Sequence, residues 1–428
     1  MRSGVVLGLG GNVDFEVVWD AESLDALTRG FDIYAGECEA TPRIVEDERG
    51  MLVALLHAIR HQKGMEVRVV DPQALRSFAE RFTYTMTLGG TSVRAAVCLD
   101  RLGVGSLVHL VSTCEELRSL LPERVSSVSS AREDSLDPHV IVQYPAAPTL
   151  HFADGSPVWE APEKGEGGHA LAAGEGRPNR VIFVNDPANE RMKISPDLGE
   201  AISTAKVVVI SGLNAMTSEE LLARRLDTVE RMLAQAPSEQ QGRDCMLPPP
   251  GFAGRPVIYE EAGFHHEHLR QQVLASARRW ATIHSMNEDE AQHYLGRKAN
   301  MTEAEDLVSL MKSLRVLSGV RNVVVHTADY AAVIGEDAPA VAKAAALGCQ
   351  MASTRFAHGD GFTAEDFHAM AAVPYSPVGL YLTASPAVRK AGVLIAPSHA
   401  VKIADPTTIG LGDAFVGGMV LSLSHERG

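Results

Sequence analysis

Residues 401–418 read VKIADPTTIGLGDAFVGG, and this stretch carries the clearest chemical signal in the chain. A short turn, Gly410-Leu411-Gly412-Asp413, separates a segment rich in proline and threonine from the apolar start of a helix. Backbone N–H groups at a helix N-terminus bind anions, and glycines let a phosphate approach closely. A carboxylate in the same first turn can accept a proton from an attacking hydroxyl. The turn therefore suggests phosphoryl transfer, although an isolated GxGD more often serves only to cap a helix.

Composition excludes several classes of protein. The 428 residues include 39 Lys and Arg against 54 Asp and Glu, a formal net charge of −15 that repels nucleic acid and anionic membranes. The five cysteines form no CxxC pair, so neither a disulfide framework nor a structural zinc site is indicated. No secretory signal opens the sequence and no run of about 18 apolar residues occurs in it. We expect a cytoplasmic protein with no nucleic-acid or membrane partner.

Apolar strand patterns alternate with helix patterns from residue 181 onward. The predicted strands are residues 181–184, 207–210, 257–259, 281–284, 322–326 and 393–396. The main helices between them are predicted at residues 218–235, 266–280 and 338–349. Such alternation predicts an α/β fold with a mostly parallel sheet and helices on both faces. The earlier, less regular part of the chain predicts a smaller inserted module.

Two glycine-rich turns precede polar or helical segments in the first hundred residues. Asn12 and Asp14 follow a predicted strand at residues 5–9, and ligands of open α/β sheets bind at the carboxyl ends of strands. Gly89 and Gly90 precede a predicted helix and offer backbone N–H groups to a ligand oxygen. Ordinary turn chemistry explains the first pair equally well.

Three acidic or amide side chains follow neighbouring predicted strands and suggest a cation site. Glu260 ends one strand, while Asn287 and Glu290 follow the next. Mg²⁺ keeps several waters and takes one or two carboxylates together with phosphate oxygens. The alternative for Asn287 and Glu290 is a helix capping box, and for Glu260 a surface acid.

Other polar residues are candidates for binding the nucleotide or a phosphorylated substrate. His326 and Thr327 close a predicted strand, and Ile409 lies in the approach to the GxGD turn; we expect these three to contact the nucleotide. Arg180 and Lys193 could steer a phosphate group, although scattered basic residues are more often only solvated.

Eight motifs, taken together, resemble the ADP-dependent glucokinase and phosphofructokinase family of the ribokinase-like superfamily. They run in the family's order across nearly the whole chain, and the length also favours this branch. The motifs are GGNVD at 10–14, GG at 89–90, NRVIF at 179–183, ISGLN at 210–214, EEAG at 260–263, SMNEDE at 285–290, VVVHT at 323–327 and TTIGLGD at 407–413.

The resemblance implies transfer of the terminal phosphate of ADP to glucose or fructose 6-phosphate, with release of AMP. It implies Asp413 as catalytic base and Gly410, Leu411 and Gly412 as the anion hole. It further implies Mg²⁺ near Glu260, Asn287 and Glu290, and sugar contacts from Asn12, Asp14, Gly89 and Gly90. The expected fold is a three-layer core with an inserted α+β lid, as a monomer or homodimer. The core is predicted at residues 1–14, 87–139 and 196–428, and the lid at residues 15–86 and 140–195.

Two positions depart from the family pattern. Ile258 occupies the place of the histidine in the HxE motif, and Thr91 replaces a glutamine that often follows the Gly-Gly pair. These departures leave two alternatives open: an ATP-dependent kinase of the ribokinase type, and a sugar- or nucleotide-binding homologue with weak catalysis.

Overall fold

A computed structural model describes residues 4–40, 42, 44–160, 178–234, 254–264, 266–403 and 406–424. Within these residues the strands are β1 (Val5–Gly8), β2 (Asn12–Val17), β3 (Ile44–Val45), β4 (Met65–Val69), β5 (Tyr84–Gly89), β6 (Ser106–Leu110), β7 (Val125–Ser129), β8 (His139–Tyr144), β9 (Asn179–Val184), β10 (Val207–Ile210), β11 (Val257–Glu260), β12 (Ile283–Asn287), β13 (Asn322–His326), β14 (Tyr330–Gly335) and β15 (Leu394–Pro397).

The helices of the described residues are α1 (Ala21–Gly30), α2 (Glu48–Arg60), α3 (Pro72–Glu80), α4 (Thr91–Arg101), α5 (Glu115–Leu120), α6 (Pro187–Arg191), α7 (Asp197–Thr204), α8 (Glu219–Ala234), α9 (Glu267–Trp280), α10 (Glu288–Leu295), α11 (Ala304–Ser318), α12 (Ala338–His358), α13 (Ala364–Met370), α14 (Pro377–Ala384), α15 (Pro386–Lys390) and α16 (Leu411–Ser424). No helix among these residues is both long and apolar enough to cross a membrane.

The chain divides into two compact units. The first comprises Met1–Gly11, Gly90–Ser135 and Ala188–Gly428, and the second comprises Asn12–Gly89 and Leu136–Pro187. These bounds differ from the predicted ones by up to eight residues. The three-residue differences at Gly11 and Gly90 arise because β2 and β5 both belong to the sheet of the second unit. Asn12 and Asp14, predicted in the core domain, therefore lie in the smaller unit.

The first unit is built on a large, mostly parallel sheet, as the sequence predicts. Nine strands of the described residues lie in the order β15-β14-β13-β12-β11-β10-β1-β6-β7, and only β14 runs antiparallel to its neighbours. Helices α7, α8 and α9 pack their apolar side chains against β1, β10 and β11. Helices α10 and α11 do the same against β12, β13 and β14. The predicted fold class, an α/β sheet flanked by helices, is confirmed.

Three elements of this unit differ from the sequence prediction. The strand expected at residues 281–284 begins at Ile283, because the Ala281 N–H still bonds to the Ala277 carbonyl and closes α9. The helix expected at residues 338–349 continues through Gly348 to His358 and ends at Gly359, which adopts a positive φ of +63°. The serine-rich segment Val125–Ser129, for which no strand is predicted above, forms β7, which pairs with β6 at the sheet edge.

The second unit contains a six-stranded mixed sheet with two chemically different faces. Its strands lie in the order β3-β4-β9-β8-β2-β5 within the described residues. Because side chains alternate along a strand, one face carries buried apolar residues, and α2 and α3 pack against it. These apolar residues are Val13, Phe15, Val67, Val69, Val140, Val142, Val181 and Phe183. The opposite face carries the polar residues Asp14, Glu16, Arg68, Thr87, His139, Gln143 and Arg180.

Glycines allow α16 to pack very closely against α12 and α4. A Cβ atom on Gly418 would collide with the carbonyl oxygen of Leu347 and lie 2.7 Å from the Cα of Gly348. A Cβ on Gly348 would lie 2.6 Å from the Phe415 ring, and one on Gly417 would lie 3.2 Å from the Ala95 carbonyl oxygen. The helix that begins directly after Gly410 is thus fixed by backbone contacts on two sides.

We predict that Gly418→Ala destabilises the protein. Alanine favours a helix over glycine by about 1 kcal/mol, but overpacking costs about 1–3 kcal/mol or more, and the atoms in the way belong to the backbone of α12. The net free energy of unfolding, measured by urea denaturation, should therefore fall. Gly263→Ala is the matched control, because Gly263 has no atom within 4 Å of the added Cβ. Equal stability of the two variants would contradict the close packing.

Candidate active site

The turn at residues 410–413 is held from several sides within the first unit. Gly410 adopts a left-handed conformation with φ of +68°, after which α16 begins at Leu411. Arg355 donates from Nε to the Ile409 carbonyl oxygen at 2.8 Å. Asp413 stands in the first turn of α16, with its side chain 22% exposed. The N-terminus of a well-buried helix therefore presents a carboxylate and backbone N–H groups together.

The carboxyl ends of three adjacent parallel strands place polar side chains along one edge of the sheet. Glu260, Asn287 and His326 are the last residues of β11, β12 and β13. The imidazole Nε2 of His326 lies 3.1 Å from Glu260 Oε1, and its ring stacks on Phe415 of α16 with centroids 4.6 Å apart. A Cβ on Gly412 would lie 3.4 Å from His326 Cε1. His326 thus connects the acid at this edge with the GxGD turn.

Asn287 and Glu290 form a complete capping box at the start of α10. Asn287 Oδ1 accepts hydrogen bonds from the N–H groups of Asp289 and Glu290, both at 2.9 Å, and Glu290 Oε2 accepts from the Asn287 N–H at 2.9 Å. The helix capping box, which the sequence analysis gives as the alternative to a cation site for this pair, is therefore present in the molecule. One carboxylate oxygen of Glu290 and the side-chain amide group of Asn287 are not used by these bonds.

The residues near Glu260 can accommodate a cation. Glu260 Oε2 and Ser285 Oγ are buried and have no hydrogen-bond partner among the described residues, and the two residues are paired across β11 and β12. Burial, followed by the charges of Glu261 and Glu260, raises the pKa of Glu290 to about 8. A divalent cation would relieve this repulsion. Among the described residues no three His, Cys, Asp or Glu side chains are grouped as a complete metal site, and Mg²⁺ does not require one.

A buried polar cluster behind this edge was not predicted. The Glu261 carboxylate, fully buried, accepts a hydrogen bond from Tyr294 and lies 3.2 Å from Nε2 of His284. His284 Nδ1 in turn meets Ser318 Oγ at 2.9 Å. Burial raises the pKa of Tyr294, so its hydroxyl stays protonated and donates to Glu261. The cluster connects the last turn of α10 to β12 and to the residue that follows β11.

The predicted nucleotide contacts have mainly structural partners. The Thr327 hydroxyl donates to the Tyr330 carbonyl oxygen at 3.0 Å and accepts from the Asp329 N–H at 3.1 Å, which closes the hairpin between β13 and β14. The Ile409 side chain is buried and its carbonyl is held by Arg355. His326 bonds to Glu260 as described above. The structure brings His326 and Ile409 to the GxGD turn and places Thr327 next to His326.

The second unit contains a buried group of sugar-binding candidates, two of which the sequence analysis missed. Asn12 donates to the Asp14 carboxylate, and His139 lies 3.8 Å from Asp14 through Nδ1 and 3.2 Å from Asp186 through Nε2. A Cβ on Gly89 would lie 2.6 Å from Asp14 Cγ, so glycine is required beside this carboxylate. Burial opposes the charging of His139, but the hydrogen bond to Asp186 and the charges of the nearby carboxylates together outweigh it and raise the histidine pKa. No local motif marks His139 or Asp186, since His139 meets Asp14 through the pairing of β2 with β8, and Asp186 follows β9, which pairs with β8.

The remaining predicted residues are distributed between the two units. Arg180 lies in β9 of the second unit, while Lys193 and Gly90 belong to the first. The structure therefore does not bring Arg180 and Lys193 together within one unit. Gly90 precedes α4 in a positive-φ conformation of +87°, and Lys193 accepts a hydrogen bond from Ser130 through its carbonyl oxygen.

Two buried arginines beside the turn were also missed. Arg94 of α4 and Arg355 of α12 are buried and lie next to Gly410, where an added Cβ would be 2.9 Å from Arg94 Cδ and 3.2 Å from Arg355 Nε. Both arginines pair with Asp360. In the sequence they look like ordinary charged helix residues, because Asp360 and Asp413 lie far from Arg94 along the chain and Ile409 lies far from Arg355.

Comparisons with known proteins bear on the family and the fold of the chain. The conserved region described as ADP-specific Phosphofructokinase/Glucokinase matches residues 3–422. A phosphofructokinase from Pyrococcus horikoshii OT3 solved with AMP has a TM-score of 0.69 at 17% identity, covering 99% of this chain and 98% of that one. An ADP-dependent kinase in complex with fructose-6-phosphate and ADPβS has a TM-score of 0.69 at 14% identity, with 99% and 94% covered. These structures share the fold. No curated protein matches the chain.

We predict that Glu290→Gln stabilises the metal-free protein at pH 8 but not near pH 4.5. The pKa of Glu290 is about 8 in the folded protein, against an ordinary 4.5. The folded state therefore favours the protonated side chain, and this contribution to stability is fully present below pH 4.5 and is lost as the pH rises through 8. Glutamine retains the capping acceptor and cannot ionise. The melting temperature in the presence of a chelator, compared between pH 5 and 8, measures the effect. Parallel pH profiles for both proteins would contradict the assignment.

Proposed function

The chain belongs to the ADP-specific phosphofructokinase/glucokinase family, and we propose that it performs its phosphoryl transfer at the turn of residues 410–413. As a member of this family it is an ADP-dependent sugar kinase, a phosphotransferase with an alcohol acceptor. The observation that carries the proposal is the position of Asp413 in the first turn of a buried helix, beside the glycine turn. Backbone N–H groups there are suited to a phosphoryl group, and the carboxylate to a hydroxyl proton.

In the proposed reaction a sugar hydroxyl attacks the β-phosphorus of ADP. A new bond forms between that oxygen and phosphorus, and the bond to the bridging oxygen breaks, so that AMP leaves with the electron pair. The hydroxyl proton passes to Asp413. The N–H groups of the turn at Gly410, Leu411 and Gly412 stabilise charge on the transferring group. Catalysis of this kind depends on positioning and charge stabilisation more than on covalent chemistry.

We assign Glu260, Asn287 and Glu290 to Mg²⁺ binding. The buried oxygens without partners at Glu260 and Ser285 support this assignment, and so does the raised pKa of Glu290. When bound, the cation would neutralise charge on the nucleotide phosphates. His326 orients Glu260 through its 3.1 Å contact, and the capping box fixes the backbone of Asn287. The position of the missing HxE histidine, Ile258, is fully buried within β11.

We propose that the acceptor binds to the polar face of the second unit and carries a phosphate. Asn12, Asp14 and Gly89, all three from this unit, would contact its hydroxyl groups. His139 is paired in register with Asp14 and shares its face. Arg180 pairs with Gln143, four residues farther along β8, which is about 13 Å along the strand. Asp14 and Arg180 thus lie at the two ends of this span and on the same face of the sheet. One hexose phosphate could therefore contact Asp14 through a hydroxyl group and Arg180 through its phosphate.

We predict that Asp413→Asn lowers kcat by about 10²–10⁴-fold, because a positioned general base contributes a factor of this size. The KM values for ADP and sugar should change little, since asparagine keeps the shape of the side chain. Initial rates of AMP formation measure both constants. Glu365→Gln serves as the control, because it removes an exposed acid from the first turn of α13. Near-normal turnover by Asp413→Asn would rule out the proposed base.

We also predict that Arg180→Ala raises the KM for fructose 6-phosphate at least about tenfold while changing the KM for glucose much less, because a charge-assisted contact to phosphate is worth about 1.5–3 kcal/mol. Steady-state kinetics with both sugars measure the difference. Arg29→Ala is the control, since Arg29 is an exposed arginine at the end of α1 in the same unit. Equal effects on both sugars would exclude Arg180 as a phosphate ligand.

A further inference from the structure

Four charged side chains from four helical segments meet beside the GxGD turn. Arg94 comes from α4, Arg355 from the last turn of α12, Asp360 from the segment that follows α12, and Asp413 from α16. The side chains of Arg94 and Arg355 are 4% and 2% exposed, so both guanidinium groups are almost completely removed from water. A buried guanidinium keeps its proton and must be balanced by carboxylates. The four groups together carry no net charge.

Arg355 and Asp360 form the rigid half of this cluster. Arg355 Nη1 hydrogen-bonds to Asp360 Oδ1, while Nε donates to the Ile409 carbonyl oxygen at 2.8 Å. Burial acts to raise the pKa of Asp360, but Arg355, followed by Arg94, outweighs it and lowers that pKa. One arginine therefore fixes both the backbone that leads into the turn and the carboxylate that faces Arg94.

Arg94 lies between two carboxylates at almost equal distances. Its Nη1 is 3.8 Å from Asp360 Oδ2, and its Nε is 3.9 Å from Asp413 Oδ2. Both separations are within ion-pair range but exceed a hydrogen bond. Asp360 and Asp413 therefore both lie within ion-pair range of Arg94. Gly410 makes this arrangement possible, because a Cβ there would lie 3.2 Å from Arg94 Nη1.

We infer that Arg94 is a positioning residue for Asp413, and that Asp360 holds it at a distance that leaves the Asp413 carboxylate available to a substrate hydroxyl. The inference rests on the proposed role of Asp413 as the base. A direct bidentate pair between arginine and Asp413 would occupy the oxygens that must receive the proton. Without Arg94, the Asp413 carboxylate would lose the neighbouring cation that directs it toward the turn. Arg94 itself forms and breaks no covalent bond in the reaction.

A double-mutant cycle on the full-length protein tests this inference. Arg94→Met should lower kcat by about 10–100-fold, with KM values for ADP and sugar changed less than about threefold, because Arg94 acts through the base. In the Asp413→Asn background the same change should have almost no further effect on kcat, since its target is already absent. Arg94→Lys should recover part of the loss, because it keeps the charge. Arg101→Met, at the exposed end of α4, is the matched control and should keep the wild-type kcat.

Several outcomes would overturn the inference. If Arg94→Met and Asp413→Asn lower kcat by independent, multiplicative factors, Arg94 does not act through Asp413. A wild-type kcat for Arg94→Met, or a rise in KM alone, would have the same consequence. If Arg94→Met does not fold, Arg94→Lys is used in the same cycle with the same criteria. Loss of activity in Asp413→Asn together with an additive Arg94 effect refutes only this inference, whereas an active Asp413→Asn refutes the proposed base as well.

Discussion

The close packing of α16 against α12 is the constraint on which the first unit's site depends. Glycines at 348, 417 and 418 remove the side chains that would otherwise separate the helix backbones. Because this packing is backbone against backbone, the start of α16 cannot shift without moving its neighbours. The N-terminal turn of α16 therefore stands in a defined place beside His326, and Asp413 with it. Protein interiors are packed densely enough to transmit such a constraint without a cavity to absorb it.

Charge is balanced differently on the two sides of that turn. At the strand ends, Glu260, Glu261 and Glu290 accumulate negative charge, which is reflected in the raised pKa of Glu290 and which suits a cation. Beside Gly410, two buried arginines are matched by Asp360 and Asp413. A transferring phosphoryl group carries negative charge on its oxygens, so a preorganised environment with cations and N–H donors lowers the cost of the transition state. The sheet edge at the strand ends is thus suited to binding a cation, and the turn at Gly410 is suited to binding an anion.

Sequence reasoning succeeded where a feature is local. The strand at Asn322–His326, the sheet type and the GxGD turn follow from apolar patterns and from glycine beside a helix start. It failed where a feature depends on contacts between distant segments. Arg94, Arg355 and Asp360 come from separate helical segments, and His139 meets Asp14 through strand pairing alone. The capping box at Asn287 shows a third case, in which one pair of residues satisfies both a structural pattern and the predicted metal-binding one.

The central claim is that the terminal phosphate of ADP moves to a sugar hydroxyl in this protein. The most direct measurement uses ADP labelled with ³²P in its β-phosphate, incubated with the enzyme, Mg²⁺ and either fructose 6-phosphate or glucose. We predict that the label appears in the sugar product in a one-to-one ratio with unlabelled AMP. Label that stays in ADP, while γ-labelled ATP phosphorylates the same sugars, would contradict the account and indicate an ATP-dependent kinase instead.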